Sequence, residues 1–419
     1  MRRRVYAFVS LLSLFGATTS FATTPVAPTV NPTVASQTED QQIIESVRAK
    51  HAPDDRLDLF DIQATREANG RVLLEGRTNN PAALADLRAA YYVKHLPIDI
   101  KVRLLPSRDD LKDKTWAIVK TPSVTVRDLQ NRTQVTVTMG TPVRRLDDQN
   151  NLSLIQLPDG SIGEVPSSHL RAVDDTGILI WNRREKLIVT ADQTSFQIEN
   201  PDTQGVELIT LPRGAVLRLE RPLDDMWQAG LPDGRMGTLK KADVQKLDDF
   251  QLREESARRE STTAFMKKVA ETAKALAKAP YPDGGAFLRD VFLRHDLYLQ
   301  RDPDMLTRSY PTVKPGKRFD QFKPGDILLF KPVEGVTRAG ISLGGSRYVA
   351  VPGQGIEDFR AGSTKARRAK QTSLTGAVRL DPGFLNDPCL TSTRSNPYWQ
   401  APANQLVPCR QRADVPPVR

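Results

Sequence analysis

The sequence predicts a multidomain α+β chain: a small α/β unit, two small β-barrels, and a larger α+β unit. Three observations carry this. Between residues 41 and 108 the apolar pattern runs helical, alternating, helical and alternating again, in the order α-β-β-α-β. Two alternating stretches then repeat at a constant offset of 74 residues. Beyond them, two helical stretches precede several strand-like ones. The expected segments are a leader over 1–22, a flexible linker over 23–40, the small unit over 41–108, barrels over 112–176 and 184–249, the α+β unit over 254–383 and an irregular tail over 384–419.

The leader reads from Arg2, Arg3 and Arg4, an apolar run from Val5 to Ala17, and small residues at Ser20 and Ala22. A basic start, a short apolar middle and a small-residue end make a secretory signal, so the chain is expected to be exported. No later stretch is long and apolar enough to span a bilayer. The Pro/Thr-rich residues that follow read as a tether. In the small unit, "QQIIESVRAKH" is a helix, two strands flank a turn at Asn69-Gly70, and Asn80-Pro81 opens a second helix before the strand "IDIKVRLLP".

The repeat is exact at four places. Gly140 and Gly214, the two LPDG turns at Leu157 and Leu231, Gly163 and Gly237, and Asp174 and Asp248 are each 74 apart. Short alternating strands punctuated by Pro-Asp-Gly turns predict small antiparallel barrels. In the last unit, Phe265, Val269, Ala273 and Leu276 share one helical face, and Phe287, Leu288, Val291 and Phe292 mark a second helix. "FKPGDILLF", a hairpin turning at Gly344-Gly345 and "GAVRL" are strands.

Several function classes find no support. No two His or Cys residues have metal-ligand spacing, no Gly-rich loop is placed to hold phosphate, and no cofactor is expected. The formal charge of +10 is compatible with anionic partners but comes with no nucleic-acid motif. The run "RAGSTKARRAKQ" holds Arg360, Lys365, Arg367, Arg368 and Lys370 without an acid, and could grip an anionic polymer or partner. Cys389 and Cys409 form an even pair in an exported chain, for which a disulfide is expected.

Residues 41–380 resemble a known layout. "DKTWAIVKTPSVTVRDL…MGTPVRRL…LPDGSIGEV" is similar to the first bacterial SH3 (SH3b) domain of NlpC/P60 cysteine peptidases. "VFLRHDLYLQRD", "FKPGDILLF" and "AGISLGGSRYVAV" are similar, in order and spacing, to three segments of their papain-like α+β peptidase domain. The resemblance implies two SH3-like barrels, an NlpC/P60-type domain and a wall-peptide ligand. Such enzymes cut stem peptides between D-glutamate and a diamino acid. They need a thiolate at a helix start, a histidine to activate it and a polar residue to orient the histidine.

Carried over by position, Asp283 matches the aspartate of the family's "DCSGF", and Gly284 falls on the cysteine. Alternatively, Tyr281 and Gly284-Gly285 are the remnant of "YxWGG", with the cysteine-bearing loop deleted. Either way no nucleophile stands there. Arg338 falls on the histidine and Ala350 on the third position. His295 lies eleven residues along the helix from Gly284, about 16 Å away, out of reach as a base. The expectation is therefore an exported chain that is not an enzyme and binds peptidoglycan stem peptides or scaffolds an envelope protein. Arg338, Arg301, Asp302 and Tyr281 are the candidate ligand residues. Arg338 either clamps a ligand carboxylate or pairs with an internal acid such as Asp302 or Asp326. Two alternatives stay open: an active endopeptidase with an unrecognised catalytic set, and a structural or regulatory partner with a blocked cleft.

Overall fold

The computed structural model describes residues 32–130, 134–199, 205–300, 302–316, 319–351, 353, 355–382 and 391–400. The leader, Arg301, Cys389 and Cys409 lie outside the described residues. The first helix, α1 (Pro32–His51), begins inside the stretch read as a tether, so the linker is shorter than expected. Its Glu39 and Asp40 are held by Lys94 at 2.6 Å and Arg66 at 3.0 Å.

Strands β1 (Phe60–Arg66) and β2 (Val72–Thr78) pair antiparallel, and β3 (Ile98–Leu104) joins β2 in parallel after helix α2 (Pro81–Val93). Asn80 explains the start of α2. Its Oδ1 accepts from the Ala82 and Ala83 amides while its Nδ2 donates to His51 O at the end of α1. Ile44, Val47, Leu87 and Tyr91 of the helices close over Ile62, Val72 and Leu74 of the sheet. A short helix, α3 (Arg108–Leu111), leads on.

The first repeat is β4 (Trp116–Val119), β5 (Ser123–Arg127), β6 (Gln134–Thr138), β7 (Pro142–Gln149), β8 (Leu152–Gln156), β9 (Ile162–Pro166) and β10 (Leu170–Val173), followed by α4 (Asp175–Arg183). The second is β11 (Lys186–Val189), β12 (Gln193–Glu199), β13 (Val206–Pro212), β14 (Val216–Pro222), β15 (Met226–Gly230), β16 (Met236–Lys240) and β17 (Val244–Lys246), followed by α5 (Leu247–Glu260). Their strand orders are β10-β4-β7-β8-β9-β5-β6 and β17-β11-β14-β15-β16-β12-β13, the same topology twice. Each has a single 3-10 turn before its last strand, at Ser167–His169 and Lys241–Asp243. The expected closed barrels are corrected to open seven-stranded sheets, because among the described residues no pairing joins β6 to β10 or β13 to β17.

Equivalent turns of the two modules meet. Thr138 Oγ1 donates to Gly214 O at 3.0 Å, and Val216 N donates to Met139 O at 2.9 Å. Gly140, at φ +84°, sits so close that a Cβ there would fall 2.1 Å from Val216 O.

The last unit packs α6 (Thr262–Ala275) and α7 (Gly284–Leu293) on one face of an antiparallel sheet. Helix α8 (Pro303–Ser309) leads to that sheet, built from β18 (Ile327–Val333), β19 (Val336–Gly344), β20 (Arg347–Val351), β21 (Gly355–Asp358) and β22 (Leu374–Val378) in the order β21-β20-β19-β18-β22. Helix α9 (Thr364–Ser373) links the two edge strands. The sheet's other face carries an aromatic stack in which the Phe359 ring lies 4.5 Å from Phe319 and 4.3 Å from Tyr348.

The tail was read as irregular. Its described part, 391–400, is a partly buried strap across the molecule. Asn396 Nδ2 donates to Pro158 O in the first LPDG turn, Tyr398 Oη donates to Gln156, and Asn182 Nδ2 donates to Tyr398 O. On the other side Thr391 O accepts from Tyr298 N, and Trp399 Nε1 donates to the Tyr298 hydroxyl.

Candidate functional site

Helix α7 starts at a capped end, where Asp283 Oδ1 accepts from Ala286 N at 2.9 Å. Its first residue rests directly on β19. A Cβ at Gly284 would fall 2.2 Å from the Ala339 amide nitrogen, so this position has no room for a side chain. The other two positions turn away. Ala339 joins the core beneath α7, whereas its neighbour Arg338 stands opposite Phe330 in the ladder, and Ala350 packs among the aromatic side chains of the far face. Arg338 Nη2 donates to Glu357 Oε1 at 2.7 Å and its guanidinium lies 4.7 Å from the Phe330 ring centre. Glu357 Oε2 accepts in turn from the Tyr348 hydroxyl, whose pKa is raised by burial and by that carboxylate. The internal acid that meets Arg338 is thus Glu357, not Asp302 or Asp326.

A separate cavity lies on the outer side of α7. About 390 Å³ in volume, it is enclosed by β5 and β6 of the first module, the 188–190 and 213–216 turns of the second, α7 and the strap. Phe250, Leu293, Tyr298 and Trp399 give it an apolar wall. Toward one side Tyr281 Oη donates to Asp290 Oδ2 at 2.5 Å, and Arg294 bridges Asp290 and Asp192 at 3.3 and 3.1 Å. Burial, with Asp290 beside it, pushes the Tyr281 phenol above its ordinary value. Arg289 Nη1 donates to Thr136 O of β6, and its Nε stands 3.6 Å from the fully buried Asp159 carboxylate.

Asp296 is the most unusual group here. It is 2% exposed, yet it lines the cavity. Its Oδ1 accepts from Thr393 N at 3.0 Å and Thr393 Oγ1 at 2.5 Å, while Oδ2 has no hydrogen-bond partner among the described residues. Burial pushes its carboxyl up to about 6. A carboxyl so placed can exchange a proton near neutrality or receive an ammonium group.

Of the expected ligand residues, Tyr281 lines this cavity and Arg338 lines a separate pocket with Arg347, Glu357 and Lys370. Asp302 is 3.3 Å from Arg56 of the small unit, a guanidinium that also takes Asp54 and Asp304. Arg301 is outside the described residues. His295 is occupied by Glu254 and Thr272. Asp296, Arg289 and Trp399 were missed. Trp399 had a signal in the aromatic pair Tyr398-Trp399 within an otherwise polar tail; Asp296 had none. Among the described residues no group of three or more His, Cys, Asp or Glu could hold a metal ion.

No family model and no curated protein matches the chain. Solved structures do. An NlpC/P60 family protein from Bacillus cereus ATCC 10987 shares 14% identity, covering 63% of this chain and 99% of its own at a TM-score of 0.46. An NlpC/P60 endopeptidase from Photobacterium damselae subsp. piscicida shares 12%, covering 81% and 90%, at 0.42. NlpC2 from Trichomonas vaginalis shares 12%, covering 63% and 97%, at 0.29. The expectation that this chain is not an enzyme is corrected by these neighbours. They are NlpC/P60 proteins, and one is named an endopeptidase.

Proposed function

We propose that the protein is exported and acts on peptidoglycan, receiving a stem peptide in the 390 Å³ cavity between the first β-module, α7 and the strap. On this reading the two β-modules are SH3-like and help to bind the wall. Bond cleavage in the cavity would run on carboxyl rather than thiolate chemistry, with Asp296 exchanging the proton and water as the nucleophile. The observation that carries the reading is Asp296, a buried carboxylate beside the cavity, one of whose oxygens has no hydrogen-bond partner among the described residues. Its carboxyl, held near 6, gains charge between about pH 5 and 7, so affinity for a peptide ammonium rises across that window.

Titration calorimetry with a stem tripeptide, beside mass spectrometry of muropeptides incubated with the protein, tests this. A lost charge-assisted contact is worth about 1.5–3 kcal/mol, so Asp296→Asn weakens binding by about tenfold or more and stops any turnover. Absence of both heat at high ligand concentration and any product would overturn the proposal. Equal binding and turnover by Asp296→Asn would remove the role of Asp296.

A further inference from the structure

The cavity makes no use of the cationic helix α9. Residues 360–373 carry Arg360, Lys365, Arg367, Arg368 and Lys370 without one acid. Helix α9 buries none of its residues, and Lys365, Arg367 and Arg368 are all exposed. Other helices of the same unit and its approach pair some of their cations: Arg259 with Glu255 at 2.5 Å in α5, Lys274 with Glu271 at 3.6 Å in α6, and Arg294 with Asp290 in α7. Among the described residues, Lys365, Arg367 and Arg368 have no ion pair.

Their placement also works against the helix. All three lie in its N-terminal half, where the helix dipole disfavours cations, and like charges crowd one another along it. Local contacts hold α9 regardless: Ser363 caps it by accepting from Ala366 N, and Lys370 Nζ donates to Asp358 O at 3.0 Å. Among the described residues no acid pairs with Lys365, Arg367 or Arg368, and an external anionic surface can compensate them. The adjoining pocket is a poor anion site, because Glu357 and Asp358 offset Arg338, Arg347 and Lys370 there. The outer ridge is the uncancelled part. Exposed Arg347 and Ile356 lie next to it. An exposed cationic helix beside a charge-balanced pocket suits a flat anionic partner better than a threaded polymer.

We propose that α9, through Lys365, Arg367 and Arg368, docks the protein on the headgroup plane of an anionic lipid membrane. The contact is peripheral, reversible and sensitive to salt. Each cation near an anionic leaflet contributes about fivefold in affinity, so the three together contribute roughly 100-fold.

Co-sedimentation of the full chain with phosphatidylglycerol-containing vesicles, and with phosphatidylcholine vesicles alone, tests this at low and high salt. The expected result is binding to the anionic vesicles that fades with salt, and none to the neutral ones. The triple variant K365Q/R367Q/R368Q loses most of it with an unchanged circular dichroism spectrum, while K267Q/K268Q, which removes two exposed cations from α6, keeps it. Equal binding to both vesicle types, or equal loss in the α6 control, overturns the proposal. So does binding to inorganic polyphosphate or duplex DNA with none to vesicles, which would assign the ridge to a soluble polyanion.

Discussion

The first and second β-modules share a strand order, the spacing of their turns and a closing 3-10 turn, but equivalent positions have different neighbours. The first module lends its β5–β6 hairpin to the cavity, where Arg289 of α7 donates to Thr136 O. The matching β12–β13 hairpin spans four more residues and exposes Val206 and Leu208. The first residue of each sheet shows the contrast best. Trp116 is fully buried, packs edge-on against Tyr398 of the strap at 5.0 Å, and donates from Nε1 to Asp175. Its counterpart Lys186 is also buried, but donates to Asn182 O and Arg184 O at the end of α4. One topology therefore accepts either an aromatic ring or an ammonium at the same place. What the neighbouring element presents decides which.

Breaking the aromatic side should have the largest effect. Trp116→Ala should cost about 3–5 kcal/mol in urea unfolding, since it removes a ring from both the module core and the strap. Next come the paired turns. Gly140→Ala places a methyl against Val216 O and should cost about 3 kcal/mol, whereas Gly214→Ala, with nothing nearer than 3.7 Å, should cost only about 1 kcal/mol for its positive φ. Equal costs would show that conformation, not the contact between modules, governs both.

Lys186→Met probes the polar side and should stabilise by about 1–2 kcal/mol at neutral pH. Burial holds the Lys186 ammonium down to about 8, below its ordinary 10.5. Between those values the unfolded chain binds more protons, so wild-type stability rises with pH across that window. The advantage of the variant should therefore be full at pH 7 and gone near pH 10.5. The smallest effect should come from Leu208→Gln, which copies Gln134 of the first module at an exposed position and should stay within about 0.5 kcal/mol.

Legibility followed the range of the interactions. Asn80-Pro81 announced α2 because capping and a preset φ are local. The glycines and LPDG turns announced the repeat because each encodes a backbone bend. Openness of the sheets was not legible, because alternation shows which residues face inward but not whether the edges meet. The acid meeting Arg338 was not legible either; Glu357 arrives across a hairpin whose geometry decides the pairing. Asp296 looked like any helix-end aspartate until the strap covered it. The strand pressed against Gly284 was not legible either, because it arrives from a distant part of the sequence.

The strap carries a consequence in time. Tyr398 bonds to Gln156 across 242 residues of chain. At ordinary rates of synthesis that separation takes about 12–50 s to produce. Throughout that interval the Trp116 pocket of a nascent chain faces solvent without its lid. The early modules can fold on their own schedule, but the junction that encloses the cavity is completed last. A chain cut short before Thr391 should therefore keep its sheets and lose the mutual orientation of its units, so the order in which the polypeptide emerges is also the order in which its site is assembled.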